Sequence, residues 1–279
     1  MQRAIGTRNN YNMGHTRLGK IPTTRKWREV VEVFASAKSQ AELSAQSTEI
    51  AQLAASTVRA SSEALRAGIK DGGLAFIFYF LTQLALTTRR TQPREALAAL
   101  GLRLPHNPTN LDLTIEVHRL IDEHFKSVGQ KSDVAEMAQL AVGETLASYL
   151  RNRPRDLFAS SEAQLFSDLH QLGSQRTFGE VSRVFFSNFM SRMLGFYLSK
   201  FVLPGGRQRM VNSADDLTQF NIALKQHTYQ RAAIIHQFAE KWFSKTEFER
   251  GIDASNARRF VSYACKKLES EFLQGMGGE

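Results

Sequence analysis

A chain of 279 residues and 31.4 kDa, 42% apolar and 23% charged, holds enough material for a buried core, which excludes a disordered tail or a fibre. Its single cysteine, Cys265, excludes a disulfide framework and a cysteine-rich zinc knuckle, and fits a reducing compartment. The net charge of +9 is unevenly placed: residues 1–26 carry Arg3, Arg8, Arg17, Lys20, Arg25 and Lys26 and no Asp or Glu, so this stretch holds +6, while 30 basic against 27 acidic side chains leave the remainder at +3.

At the N-terminus, Asn9, Asn10 and Asn12 stand where a secretory signal needs an apolar run, and Gly6, Gly14, Gly19 and Pro22 interrupt the amphipathic helix of a mitochondrial presequence. The expected location is the cytoplasm. Rich in Asn, Thr and Gly, residues 1–26 have too little apolar surface to order themselves, which predicts a flexible basic arm. Thr23 or Thr24 caps a first helix bearing Trp27, Val30, Val31 and Phe34 on one face. Residues 41–66 are rich in Ala and Ser, with Leu43, Ile50, Leu53, Val58 and Leu65 as sparse anchors. Asp71 caps a helix over 72–86 that is apolar on nearly every side; its run at 74–81 is far shorter than the roughly 20 residues that span a bilayer, so a central buried helix is predicted and no membrane span.

Pro93, Pro105 and Pro108 punctuate the next stretch, and residues 101–110 are a possible subdomain boundary. A helix over 111–126 places Leu113, Val117, Leu120, Ile121 and Phe125 inside, and Ser132 starts another that reaches Leu150 before Arg151, Arg153, Pro154 and Arg155 break it. Ser161 with Gln164 and Thr177 with Glu180 have capping-box spacing. Beyond Thr177, residues Phe178, Val181, Phe185, Phe189, Met193 and Phe196 fall within an arc of about 120° and form a core stripe that ends at Pro204, Gly205 and Gly206. Ser213 caps one long helix running through Phe220, Leu224, Ile234, Ile235 and Phe238 to Trp242, and a terminal helix covers 255–273. Gly275, Gly277 and Gly278 predict a disordered tail over 275–279. With three-to-four spacing almost throughout, the predicted fold is all-α, a multi-helix bundle over 27–274 preceded by a flexible basic N-terminal arm.

Few residue constellations stand out from chance. Helical ribonucleases of defence systems carry an Arg, four to six intervening residues and then a His, and Arg119 with His124, Arg231 with His236 and Arg8 with His15 share that spacing. About two such matches arise by accident in a chain of this composition, so the pairs carry little weight, and Leu120 and Ala232 stand where those enzymes have a polar residue. Glu116, His118, Asp122 and His124 lie close in sequence, and His118 and Asp122, spaced i, i+4, share a helical face, but a metal needs three or four ligands, so a solvated charged face is expected. His227 and His236 face opposite sides of the predicted long helix. There is no phosphate-cradling glycine motif, so no nucleotide cofactor is expected; Pro204, Gly205, Gly206, Arg207 and Arg209 form a basic turn between helices. Cys265 sits beside Lys266 and Lys267, which favour a thiolate, yet no His partner is nominated and a structural thiol is expected. No cofactor, no metal and no catalytic residue are nominated.

The arm is built to be held by another macromolecule. One candidate is a nucleic acid, with Arg3, Arg8, Arg17, Lys20, Arg25 and Lys26 neutralising phosphates and Tyr11 and Trp27 stacking on bases. The other is a protein cleft that receives an extended chain. The stretch Ile5, Gly6, Thr7, Arg8 at the head of such an arm, before a helical body of this size, resembles the QatB family, a component of the Qat anti-phage defence system of bacteria. The resemblance implies a non-enzymatic partner of an ATPase, a TatD-like nuclease and a QueC-like enzyme, whose N-terminus is processed to a glycine that the QueC-like enzyme joins to a deazapurine. On this chain that acceptor is Gly6, and the arm residues Arg3, Arg8, Tyr11, Arg17, Lys20, Arg25 and Lys26 become contacts for a partner. Residues 1–5 precede Gly6, so a peptidase step is required. The alternatives are a nucleic-acid-binding helical protein that uses the arm and a helical ribonuclease with an Arg-x4-His pair.

Overall fold

A computed structural model describes residues 62–89, 92–129, 131–156, 158–202 and 214–274. Over these residues the chain is all-α, as expected: a bundle of ten helices with no strand. They are α1 (Ser62–Lys70), α2 (Gly72–Thr87), α3 (Pro93–Ala99), α4 (Asn110–Val128), α5 (Asp133–Arg151), α6 (Ser161–Leu172), α7 (Gln175–Val202), α8 (Ala214–Arg231), α9 (Ala233–Arg250) and α10 (Ala254–Gln274). The arm, the helix expected after Thr24, the basic turn at 204–209, the Ser213 cap and the tail at 275–279 all lie outside the described residues.

Helix α2 is the centre. Asp71 Oδ1 accepts from the amides of Gly73 and Leu74, the cap its sequence position predicts, and Ser132 Oγ, itself the cap of α5, donates to Asp71 Oδ2 at 2.6 Å. One carboxylate therefore joins the starts of two helices. Phe78, fully buried, meets Phe178, Phe185 and Phe186 of α7, Trp242 of α9 and Phe260 of α10 with ring centroids 5.0–6.0 Å apart. After Gly72 and Gly73, only the stripe through Phe76, Tyr79, Gln83 and Leu86 is even partly exposed, so little of this helix needs to be polar. Among the described residues no helix is long and apolar enough to cross a membrane.

The stripe beyond Thr177 is core: Phe178, Val181, Phe185, Phe189 and Met193 are buried and Phe196 packs against them. In α4, Leu113, Val117, Ile121 and Phe125 are buried, with Leu120 at the edge. Apolar side chains on both sides of 101–110, from Leu65 to Leu268, belong to one cluster, and Leu102 within that segment is part of it. Arg94 fastens the segment by donating to the carbonyls of Pro105 and His106 and pairing with Glu162 of α6.

Three local expectations are corrected. Ser160, not Ser161, caps α6, accepting from the Ala163 amide, while Gln164 bonds to the Pro154 carbonyl and the Asp156 amide. Helix α7 begins at Gln175, ahead of Thr177; Ser174 Oγ accepts from the Thr177 amide, and Glu180 bonds to other helices. The long helix expected through Trp242 is two, broken at Ala232. In a continuous helix the Ala233 amide donates to the Tyr229 carbonyl, but that carbonyl accepts from Arg183 Nε and Nη2 at 3.2 and 3.1 Å. A cation from α7 thus competes for the acceptor at the break.

Candidate functional site

A cleft of about 540 Å³ gathers titratable groups where the end of α5, the start of α7, α8 and α9 meet. Tyr149 and Arg153 come from α5 and the residues following it, Arg176 and Glu180 from the first turns of α7, Tyr229 from α8 and His236 from α9. Glu180 is the hub: the Tyr229 hydroxyl donates to Oε1 at 2.6 Å, and His236 Nδ1 lies 3.1 Å from Oε2. The other ring nitrogen of His236 is 3.8 Å from Glu240. Burial, reinforced by the Glu180 hydrogen bond and charge, raises the Tyr229 phenol above its ordinary pKa, so it stays a neutral donor. The Arg183 guanidinium lies 3.7 Å from the centroid of the Tyr229 ring, which fixes that ring from behind.

On the other wall, Arg153 pairs with the buried Asp168 at 3.3 Å, and the Tyr149 hydroxyl donates to the Asp168 carbonyl. Burial pushes the Tyr149 phenol up to about 12. Tyr149, Arg153, Glu180, Tyr229 and His236 are thus each oriented by a neighbour. The arrangement offers a histidine between two carboxylates, a phenol and the Arg176 cation, suited to holding a small polar group by hydrogen bonds.

The residues nominated from sequence are distributed differently. Gly6, Arg3, Arg8, Tyr11, Arg17, Lys20, Arg25 and Lys26 lie outside the described residues, as do Trp27 and His15. Arg119 and His124 have separate partners: Arg119 pairs with Glu116 at 2.8 Å and Glu123 at 2.6 Å and donates to the Gly101 carbonyl, whereas the His124 ring stacks on Phe76 at 3.5 Å. These carboxylates hold the Arg119 cation above its usual range, and Arg119 in turn lowers both. Arg231 donates to the Glu271 carbonyl near the end of α10, while His236 turns into the cleft.

Glu116, His118, Asp122 and His124 are not the solvated face expected of them. Glu116 is held by Arg119 and the Arg103 amide, Asp122 by Lys131 and Gln139, and the His118 ring packs over Gly143. No three His, Cys, Asp or Glu side chains converge on an ion position among the described residues. Cys265 is fully buried, and that burial pushes its thiol up to about 12; Lys267 instead lies 5.6 Å from the ring centroids of Phe238 and Tyr263. It is the structural thiol expected.

Compared with protein-family models, curated proteins and solved structures, the chain finds no match. The Glu180 hub had one visible sign in the sequence, the Arg231 and His236 spacing, and it pointed to the wrong partner. Glu180 lies 49 residues from Tyr229, a juxtaposition that only the packing of α7 on α8 and α9 creates.

Proposed function

We propose that this chain is a cytoplasmic, non-enzymatic component of a bacterial anti-phage defence complex, in which a peptidase removes residues 1–5 and a QueC-like partner joins the new N-terminal Gly6 to a deazapurine. The observation that carries the proposal is the arm itself: Ile5, Gly6, Thr7, Arg8 inside 26 residues that hold six cations and no acid, set before a helical body whose charges are nearly balanced. In the body, arginines such as Arg94, Arg119, Arg153 and Arg192 are paired with carboxylates. The arm's cations have no acidic neighbour in their own segment, and Arg3, Arg8, Arg17, Lys20, Arg25 and Lys26 are offered to a partner.

Glycine suits the chemistry. An enzyme descended from one that couples an activated carboxylate to ammonia has a narrow approach for its nucleophile, and a glycine α-amine is the least encumbered amine a chain presents. With a reference pKa of about 7.7–8.0, it is neutral far more often at pH 7 than a lysine amine. Its nitrogen attacks the activated carbonyl carbon, the activating group departs with the electron pair of its C–O bond, and the nitrogen gives up a proton.

Intact mass tests the proposal. In cells that carry the partner genes, the expected protein begins at Gly6 and is heavier than that sequence by one deazapurine acyl group. An unmodified chain beginning at Met1 refutes it.

A further inference from the structure

Helices α9 and α10 are joined by residues 251–253 and run antiparallel, since Trp242 meets Phe260 at 4.5 Å between ring centroids and Phe238, earlier in α9, meets Tyr263, later in α10, at 5.0 Å. Along α9, Phe238, Lys241, Trp242 and Lys245 recur at three-to-four spacing; along α10, Arg259, Phe260 and Tyr263 do the same. Two aromatic stripes therefore face one another under a basic rim. Between them lies a groove of about 590 Å³, within the range of small-ligand sites.

The composition of this groove is unlike that of the cleft at Glu180. Lys241, Lys245 and Arg259 are exposed at its edge, and Lys267 stands 5.6 Å from both the Phe238 and the Tyr263 ring. The one carboxylate lining it, Asp253, accepts from the Asn256 amide at 2.7 Å in a reciprocal turn at the start of α10. Tyr263 is 42% exposed, edge-on to Phe238, so an approaching flat group finds an open ring face or edge rather than a filled core. Cations spaced along a groove with aromatic rings at its floor meet the two needs of an unpaired polynucleotide, phosphates and bases at once. A duplex hides its bases, and an acidic peptide has no use for the rings.

We propose that the α9–α10 groove binds single-stranded nucleic acid, with phosphates along Lys241, Lys245 and Arg259 and a base against Tyr263 above Trp242. The site lies in the body, apart from the arm, and stands whether or not Gly6 is modified.

The test uses the full chain with Trp27→Phe, which leaves Trp242 as the sole tryptophan. Its fluorescence is titrated with a 12-mer of thymidine at several salt concentrations, with a 12-base-pair duplex and with polyglutamate in parallel. The expected result is saturable quenching by the single strand, weakening as salt rises. Lys241→Glu, Lys245→Glu and Arg259→Glu together weaken binding about tenfold or more and flatten the logarithmic salt slope by about 2. Tyr263→Ala weakens it about fivefold or more. Both variants replace exposed side chains, and an unchanged circular dichroism spectrum establishes that they fold. The proposal is overturned by the absence of saturable quenching, by duplex or polyglutamate acting as strongly as the single strand, or by unchanged affinity in the charge-reversed protein.

Discussion

Gly179 stands where α7 meets α9. A Cβ added there lies 2.7 Å from His236 Cδ2, 2.9 Å from the His236 carbonyl oxygen and 3.2 Å from Glu240 Cβ. In an unobstructed helix interior, glycine to alanine gains about 1 kcal/mol. Overpacking costs about 1–3 kcal/mol, and a helix carbonyl cannot swing aside as a side-chain tip does, which places Gly179→Ala near the upper end of that range. The net expectation is a loss of about 1–2 kcal/mol, a fall in Tm of roughly 2–6 °C. Gly195, on the same helix, has no described atom within 4 Å of its added Cβ, so Gly195→Ala is expected to gain about 1 kcal/mol. Urea and thermal unfolding followed by circular dichroism read both variants against the parent. Two variants of opposite sign support the close approach of α7 and α9; a Gly179→Ala protein as stable as the Gly195→Ala protein refutes it.

Asp71→Ala removes the cap of α2 and the acceptor for Ser132 together, an expected loss of about 1–2 kcal/mol, and because the two side chains bond to each other the double variant with Ser132→Ala loses less than the two single losses combined. His118 and His124 are both lowered by burial, an effect that Asp122 partly opposes at His118. The unfolded chain therefore takes up these protons at about pH 6.5, before the folded protein does, so stability is full above that pH and falls as the pH drops through the folded values. The urea midpoint is expected to be lower at about pH 5.5 than at about pH 7.5, and His118→Asn with His124→Asn narrows the gap; an undiminished gap refutes the assignment. Cys265, buried with its thiol at about 12, is expected to ignore a thiol reagent in the native protein and to react once per chain in denaturant, whereas fast native labelling contradicts its burial.

The regular parts of this architecture were visible one helix at a time. The 3.6-residue spacing of Leu113, Val117, Ile121 and Phe125 and of the Phe178 stripe is dictated by burial on one face, and it appears in the structure as spaced. Asp71 and Ser132 cap where they were expected, each accepting from amides of the turn that follows it. Ser161 and Thr177 mislead because the box depends on its second member, and Gln164 and Glu180 are drawn to the 154–156 segment and to Tyr229 and His236. Ala232 has neither proline nor glycine to announce a break; Arg183, 46 residues before Tyr229, supplies the competing donor. Both concave sites share this origin. The spacing along α9 and along α10 is legible, but that Trp242 faces Phe260 is decided by the turn between them.

The placement of Phe78 bears on how the chain is made. Its ring partners run from Phe178 to Phe260, so 182 residues must leave the ribosome after Phe78 before the last of them exists. At about 5–20 residues per second, that interval is roughly 10–40 s. Throughout it the most apolar of the described helices is a nascent segment without its full set of neighbours, a substrate for chaperones that shield exposed hydrophobic sequence. Translation that stalls ahead of Phe260 leaves a fragment whose fate is aggregation or degradation, because α10, which completes this interior, is made after the other described helices it packs against.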